Sequence, residues 1–149
     1  MDTLNFKAGE ALWSPASGLH TSLNLTGHPV RIVEVELKSK PGRASTVQQP
    51  ALDPVKVDSK RYKVELENEQ VRVFRVRYEP HGKGVTHEHT LNRVVTFITD
   101  GNMKITTPDG ESKILKTAAG DVTWGGPARH IEENLSDQPF EVVVVEFKQ

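Results

Sequence analysis

The stretch VTHEHTLNRVVTFITDG, residues 85 to 101, joins two alternating histidines to a β-branched run that ends in an Asp-Gly turn. Short, alternating, β-branched runs of this kind are typical of strands that are half buried. Four further runs share this character: VRIVEVELK (30–38), QVRVFRVRY (70–78), NMKITTP (102–108) and EVVVVEFK (141–148). PDGES, residues 108 to 112, predicts a tight hairpin turn. The pattern therefore predicts an all-β sandwich or small barrel.

The composition restricts the classes of function that fit this chain. A length of 149 residues suits one domain with a core. With 19 Lys and Arg residues against 20 Asp and Glu residues, the net charge of -1 argues against a nucleic-acid or anionic-membrane partner. There is no cysteine and no apolar run of membrane-spanning length. The N-terminus has no signal-peptide pattern, so we predict a cytoplasmic protein.

The organisation of the chain is revealed by an internal repeat. Residues 9–38 align with residues 120–148 after one insertion, and both tryptophans of the protein occupy the same repeat position. Residues 1–38 are therefore interpreted as a partial repeat, residues 39–60 as a linker or surface strap, and residues 61–149 as the main barrel. Because an isolated apolar hairpin is unstable, we expect the N-terminal strands to pack on this barrel or to exchange with a second subunit, forming a homodimer.

A metal site is the chemistry that the histidines predict. Spaced as His-x-His on a strand, His87 and His89 point to the same face, about 7 Å apart at their Cα atoms, so both rings can converge on one ion. The alternative is a solvated pair, or two neutral imidazoles bonded to carbonyl groups. His20 has no such neighbour, and we do not expect it to bind a metal.

Two motifs resemble those of the cupin superfamily. The first, Gly-x5-His-x-His-x(3,4)-Glu-x6-Gly, is matched by His87, His89 and Gly101, with Gly82 one residue too close. The second, Gly-x5-Pro-x-Gly-x2-His-x3-Asn, is matched by Gly120, His130 and Asn134, with Pro127 shifted by one residue. The resemblance implies a cupin-type jelly-roll β-barrel or sandwich, here with an N-terminal β extension. It also implies that His87, His89 and His130 point inward at one metal.

The chain departs from the family pattern at the carboxylate ligand. The expected glutamate falls on Val94 or Arg93, and neither side chain is an ordinary metal ligand. Three histidines remain, a set that certain cupin dioxygenases acting on diketones or thiols use. Such a set suits one divalent Fe, Mn, Ni or Zn ion with a position open for water or substrate.

Two charged residues are candidates for catalytic roles. Glu132 shares a strand face with His130 and is either a general base or late fourth ligand, or a solvated glutamate. Arg93 either anchors a substrate carboxylate at the cavity mouth or is a surface charge. His81 is expected in a loop. Strand alternation predicts a small, fairly apolar cavity, lined by Val85, Thr96, Ile98, Ile105 and Trp124.

Three functions fit these features. The first is a metal enzyme of dioxygenase, isomerase or lyase type acting on a small oxygenated molecule. The second is a non-catalytic module or sensor that binds a small ligand, and the third is a cupin whose metal site has decayed. Fold alone does not separate them.

Overall fold

The computed structural model describes residues 3–15, 18–38 and 48–148. Within these ranges, one short helix, α1 (Pro54–Val57), precedes nine strands. The strands are β1 (Tyr62–Glu67), β2 (Val71–Tyr78), β3 (His87–His89), β4 (Arg93–Phe97), β5 (Gly101–Thr106), β6 (Ser112–Thr117), β7 (Val122–Gly125), β8 (Ala128–Asn134) and β9 (Phe140–Phe147). No helix in the described ranges has the length and hydropathy to cross a membrane.

The strands form two antiparallel sheets. One sheet has the order β1-β2-β9-β4-β7, and the other has the order β3-β8-β5-β6. Consecutive strands such as β8 and β9 lie in different sheets, which is the connectivity of a jelly roll. The predicted all-β jelly-roll class is therefore confirmed. The predicted hairpin also forms, since β5 pairs with β6 across a turn in which Gly110 has φ 90°.

Strand β9 is the centre of the larger sheet, and both of its faces are covered. Phe140, Val142 and Val144 belong to the main core between the sheets, together with aromatic residues such as Phe74. On the opposite face, Val143 belongs to a second apolar cluster. This double burial explains why EVVVVEFK is almost continuously apolar, because a strand covered on both faces has no solvent side to alternate with.

The N-terminal segment differs from the prediction. Residues 30–38 were expected to form a strand, but the described part of the segment, 3–15 and 18–38, contains no strand. A strand exists only when its backbone groups pair with a neighbour, and among the described residues this segment has no such partner. Ala11 and Leu37 instead pack against the outer cluster on β2 and β9. Arg31 donates a hydrogen bond to the carbonyl of Ala119 at 3.4 Å.

The two copies of the repeat form the same turn. In the N-terminal copy, the Asn24 amide donates to the carbonyl of His28 at 2.8 Å, and the Thr26 hydroxyl donates to the same carbonyl at 2.9 Å. In the C-terminal copy, Asn134 and Ser136 make the corresponding bonds to the carbonyl of Gln138, both at 2.8 Å. The side-chain amide in each copy replaces a backbone pairing and reverses the chain.

Residues 48–60 lie against the barrel. Within the predicted linker or strap, residues 39–47 are outside the described residues. The remainder contains α1, which the sequence did not predict, and the buried Asp53 immediately before it. The amide of Glu88, on β3, donates to the carbonyl of Leu52 at 2.9 Å. This segment therefore contacts the strand that carries two of the predicted metal ligands.

Candidate metal centre

The three predicted histidines come together inside the barrel. His87 and His89 alternate on β3, and His87 lies directly opposite His130 on the neighbouring strand β8. All three side chains are buried, and one ligand nitrogen from each lies within 4.8 Å of the others. The ring centroids are 4.6 Å apart for His87 and His130, and 5.5 Å apart for His89 and His130. Two adjacent strands thus place three imidazoles around one point.

The outer nitrogen of each β3 histidine is occupied by the protein. His87 Nδ1 lies 3.0 Å from the carbonyl oxygen of Val85, and His89 Nδ1 lies 2.8 Å from a carboxylate oxygen of Glu146. These acceptors require a proton on Nδ1, so the lone pair of each neutral ring is on Nε2. This is the arrangement in which partners behind a metal ligand fix its tautomer and orientation.

The hydrogen bonding around the cluster fits a cation. Tyr62 has one hydroxyl proton, but its oxygen lies 3.2 Å from His87 Nε2 and 2.9 Å from Glu132 Oε2, both of which accept. His130 Nε2 is buried and has no hydrogen-bond partner. A metal ion bound by the Nε2 atoms of the three histidines would give His130 Nε2 a partner. It would also occupy the lone pair of His87 Nε2, so the Tyr62 hydroxyl would donate its proton to Glu132 alone. Buried polar atoms are rarely left unsatisfied without a functional reason.

The electrostatic environment keeps the β3 histidines neutral. Burial lowers the pKa of His87 to about 4, and nearby Glu132 opposes this only in part. Burial also lowers the pKa of His89, while its hydrogen bond to Glu146 acts in the opposite direction. Neutral imidazole is the form that ligates a metal. Both rings are therefore in the ligating form at neutral pH.

A buried network supports His89 from behind. Glu146 on β9 is 3% exposed, and the Arg72 guanidinium lies 3.8 Å from its second oxygen. Arg72 itself forms a bidentate pair with Asp53, at 2.7 and 3.0 Å. The carboxylate that holds the His89 ring is thus fixed by a charge pair that links β2 to the segment before α1.

Glu132 points into the site rather than into solvent. Its Oε2 accepts hydrogen bonds from the hydroxyls of Tyr62 at 2.9 Å and Tyr78 at 3.2 Å. Its Oε1 lies 3.5 Å from His130 Nε2, in a geometry that makes no hydrogen bond. Burial raises the pKa of Glu132, but the contact with His130 outweighs burial and lowers it. The alternative of a solvated glutamate is therefore wrong.

Arg93 is buried as well, with 8% of its surface exposed, so the alternative of a surface charge is also wrong. It is the first residue of β4 and lies between Gly125 on β7 and Glu146 on β9 in the sheet register. Its guanidinium donates a hydrogen bond to the carbonyl of Gly126. Burial lowers the pKa of Arg93, but a guanidinium stays protonated at neutral pH.

A cavity of about 490 Å³ opens beside the histidines, which is within the usual range for small-molecule sites. Of the five lining residues predicted, Ile105 and Trp124 line it. Val85, Thr96 and Ile98 do not, and on β4 the residues that line it are Arg93, Val95 and Phe97. The prediction for this strand was wrong because it assigned the alternate set of residues to the cavity face. Successive side chains of a strand point to opposite faces, so an error of one residue exchanges the two faces completely.

The remaining candidates lie away from the cluster. His81 is in the loop after β2, as predicted, and its ring contacts Asp137 at 2.7 Å. His20 is exposed and belongs to no group of metal-binding side chains among the described residues. Trp124, at the cavity rim, is 65% exposed and stacks on Phe147 with ring centroids 5.5 Å apart.

Three residues of the site were missed by the sequence analysis. Tyr62, Tyr78 and Glu146 carry no motif. One signal for Glu146 was present, because in EVVVVEFK it has the same parity as Val142 and Val144, which face the core. An acidic residue on the inward face of an apolar strand is unusual without a partner. The tyrosines sit in ordinary strand sequences, and only the fold brings their hydroxyls to Glu132.

The chain is similar to solved structures of cupin and double-stranded β-helix domains. A cupin domain from Bordetella pertussis Tohama I aligns at 30% identity and a TM-score of 0.56, over 59% of this chain and 92% of that one. A conserved protein with a double-stranded β-helix domain from Klebsiella pneumoniae aligns at 26% identity and a TM-score of 0.49, over 58% and 75%. Neither the protein-family models nor the curated proteins gave a match. Because the first alignment combines this identity with nearly all of a cupin domain, the chain belongs to the cupin superfamily.

Proposed function

We propose that this protein binds one divalent transition metal through His87, His89 and His130, and that the metal-bearing cavity takes up a small oxygenated molecule. The observation that carries the proposal is the convergence of three buried imidazoles, one of which has an unpartnered nitrogen. All three donors are imidazole nitrogens, a set that suits Fe, Mn, Ni or Zn.

Catalysis of dioxygenase, isomerase or lyase type is the first function that this arrangement supports. A metal in such a site would act as a Lewis acid or as a centre for oxygen chemistry. The chain's own contribution is Glu132, because the two tyrosines hold its Oε2 and leave Oε1 directed toward the histidines. A carboxylate fixed in this way can accept a proton from a bound substrate.

The metal is tested by elemental analysis of the purified wild type and of the His87→Ala and His130→Ala variants. His81→Ala is the matched control, because this histidine lies in a loop and contacts Asp137. We expect about one equivalent of transition metal in the wild type and the control, and much less in the two site variants. A wild type that neither contains metal nor takes it up on dialysis against Fe, Mn, Ni or Zn refutes the proposal and leaves a decayed site.

Turnover is tested by following oxygen consumption by the metal-loaded protein with diketones, thiols and enols. Glu132→Gln keeps the shape of the side chain but removes its basicity, so the rate should fall about 100-fold or more if Glu132 is the base. Metal content should stay unchanged. Equal rates in both proteins would assign Glu132 a structural role instead.

A binding or sensing function is the second candidate. The size of the cavity, and a lining that combines apolar side chains with polar and charged ones, favour it, since these are features of small-molecule sites in general. Ligand binding to metal-loaded protein without turnover of any tested class would support this function.

We also propose a homodimer formed through the N-terminal segment. Ile32 is 69% exposed, although its counterpart in the second copy of the repeat, Val142, is 5% exposed. Other apolar side chains of the segment, Leu19, Leu23 and Leu25 among them, are exposed as well. Apolar surface of this extent favours a protein partner, and a second copy of the chain supplies a matching one.

The dimer is tested by light scattering coupled to size exclusion. Ile32→Glu should convert a dimeric wild type to monomer, whereas Ile114→Glu, at a position 53% exposed on β6, should not. A wild type that is monomeric at all concentrations refutes the dimer.

A further inference from the structure

We infer that Arg93 is the anion-binding group of the cavity, and that the ligand is a small organic carboxylate with an apolar body. The inference deepens the proposed function and rests on it for the location of the ligand beside the histidines. It assigns the class of molecule that the cavity selects.

The position of Arg93 is unusual for a cation. It is one of the two positions, with Val94, at which the family pattern allows a metal-binding glutamate, and its strand pairs on both sides. Its guanidinium packs so closely over Gly125 that a Cβ on this glycine would lie 3.1 Å from Cζ. The absence of a side chain at Gly125 therefore leaves the space beside the cavity that the Arg93 side chain occupies.

The hydrogen bonding of Arg93 is incomplete. A guanidinium has five N–H donors, and the described residues supply one acceptor, the carbonyl of Gly126. No carboxylate among these residues lies within ion-pair distance of it. Arg72, which is buried to a similar extent, has the bidentate partner Asp53. Buried charges are normally paired with an opposite charge. The described residues supply no such partner to Arg93, and an anionic ligand can supply it.

The charges that line the cavity favour an anion. Among the described lining residues, Arg93, Lys113 and Arg129 are cationic and Glu132 is the one carboxylate. Glu132 is already held by two tyrosines. A divalent metal at the histidines would make the field more positive still.

The shape and lining of the cavity define the rest of the ligand. Beyond the histidines, the cavity wall is formed by apolar side chains: Val76, Phe97, Met103, Leu115, Phe140 and Val142. A planar carboxylate matches the guanidinium fork of Arg93 in a bidentate contact, and the apolar wall accepts a hydrocarbon body.

The test uses benzoate and its neutral isostere benzamide, titrated calorimetrically into full-length protein with and without bound zinc. Wild type should bind benzoate at least about tenfold more tightly than benzamide, the ratio expected for a charge-assisted pair. Arg93→Gln should abolish this preference. The control is Arg77→Gln, which removes a charge that lies outside the cavity lining, is 68% exposed and pairs with Glu141; it should change benzoate affinity less than twofold.

Two further measurements separate this role from a structural one. Arg93→Met should leave the melting temperature of the ligand-free protein unchanged or raise it, because it removes an unpaired buried charge. Benzoate should raise the melting temperature of the wild type but not that of the variant. A marked loss of stability in Arg93→Met, together with unchanged benzoate affinity in Arg93→Gln, overturns the inference.

Failure of the metal proposal gives a different result. If the wild type takes up no zinc but still prefers benzoate, and Arg93→Gln loses that preference, the metal proposal falls and the role of Arg93 stands. If zinc binds and benzoate is held no more tightly than benzamide, the role of Arg93 falls and the metal site stands.

Discussion

Replacing Glu146 with glutamine is expected to weaken metal binding without disturbing any of the three ligands. Glu146 accepts the hydrogen bond from His89 Nδ1 at 2.8 Å and is 3% exposed. Glutamine has the same shape, and its amide oxygen can still accept this proton. Arg72 keeps its bidentate bond to Asp53. The substitution therefore changes the charge behind His89 while the packing is conserved.

The magnitude follows from the type of hydrogen bond. A bond to a charged group contributes about 1.5–3 kcal/mol and a neutral one about 0.5–1.5, so the loss is about 1 kcal/mol. The charge also raises the basicity of the imidazole, and losing such a partner typically weakens metal binding about 10- to 100-fold. We expect an increase in Kd of about tenfold, near the lower end of this range, because an acceptor remains.

The assay is competition for zinc against a chromophoric chelator at neutral pH. Glu141→Gln is the matched control, since Glu141 lies on the same strand β9 but pairs with Arg75 and Arg77 on the outer face. We expect its Kd to stay within twofold of the wild type. Equal Kd values for Glu146→Gln and the wild type would refute the argument that the carboxylate tunes the ligand.

Three other perturbations test the fold and the site. For the metal-free protein, the free energy of unfolding should fall by about 3 kcal/mol as the pH decreases from about 6.5 to about 4. The reason is that the unfolded chain takes up a proton on His87 near the ordinary histidine pKa, whereas the folded chain does so only near a pKa of about 4. Denaturation at a series of pH values measures the free energy of unfolding, and a value that stays constant over this pH range would contradict the prediction. Gly101→Ala should destabilise the protein by about 1–3 kcal/mol in thermal melts, because its Cβ would lie 2.5 Å from the Phe140 ring, whereas Gly27→Ala meets open space and should be near neutral. Tyr62→Phe should lower the stability of the metal-free protein by about 1 kcal/mol and leave zinc affinity within about threefold, since a metal replaces its bond to His87; a large loss of zinc affinity would contradict this.

The local features of this protein could be predicted from the sequence because their causes are local. Alternating β-branched runs bury one face of a strand, so β2, β4, β5 and β9 were recognisable, as was the turn at Gly110. The spacing of His87 and His89 places both rings on one face of any strand. His130 followed from the resemblance to the cupin motif. These properties require only the chain neighbours of each residue.

The tertiary structure alone decided the properties that depend on contacts between segments far apart in the sequence. The parity of β4 was mistaken because a run that is apolar on both faces does not indicate which face meets the core. The burial of Arg93 depends on β7 and β9 packing at its sides, and the hydroxyls that hold Glu132 come from β1 and β2. The N-terminal residues 30–38 have a strand sequence but no strand, because pairing is a property of two segments and the described chain offers no partner. Which atoms surround a charge is decided by the packing of the sheets, and this is why the ligands of the candidate metal site were readable from the sequence while its electrostatic environment was not.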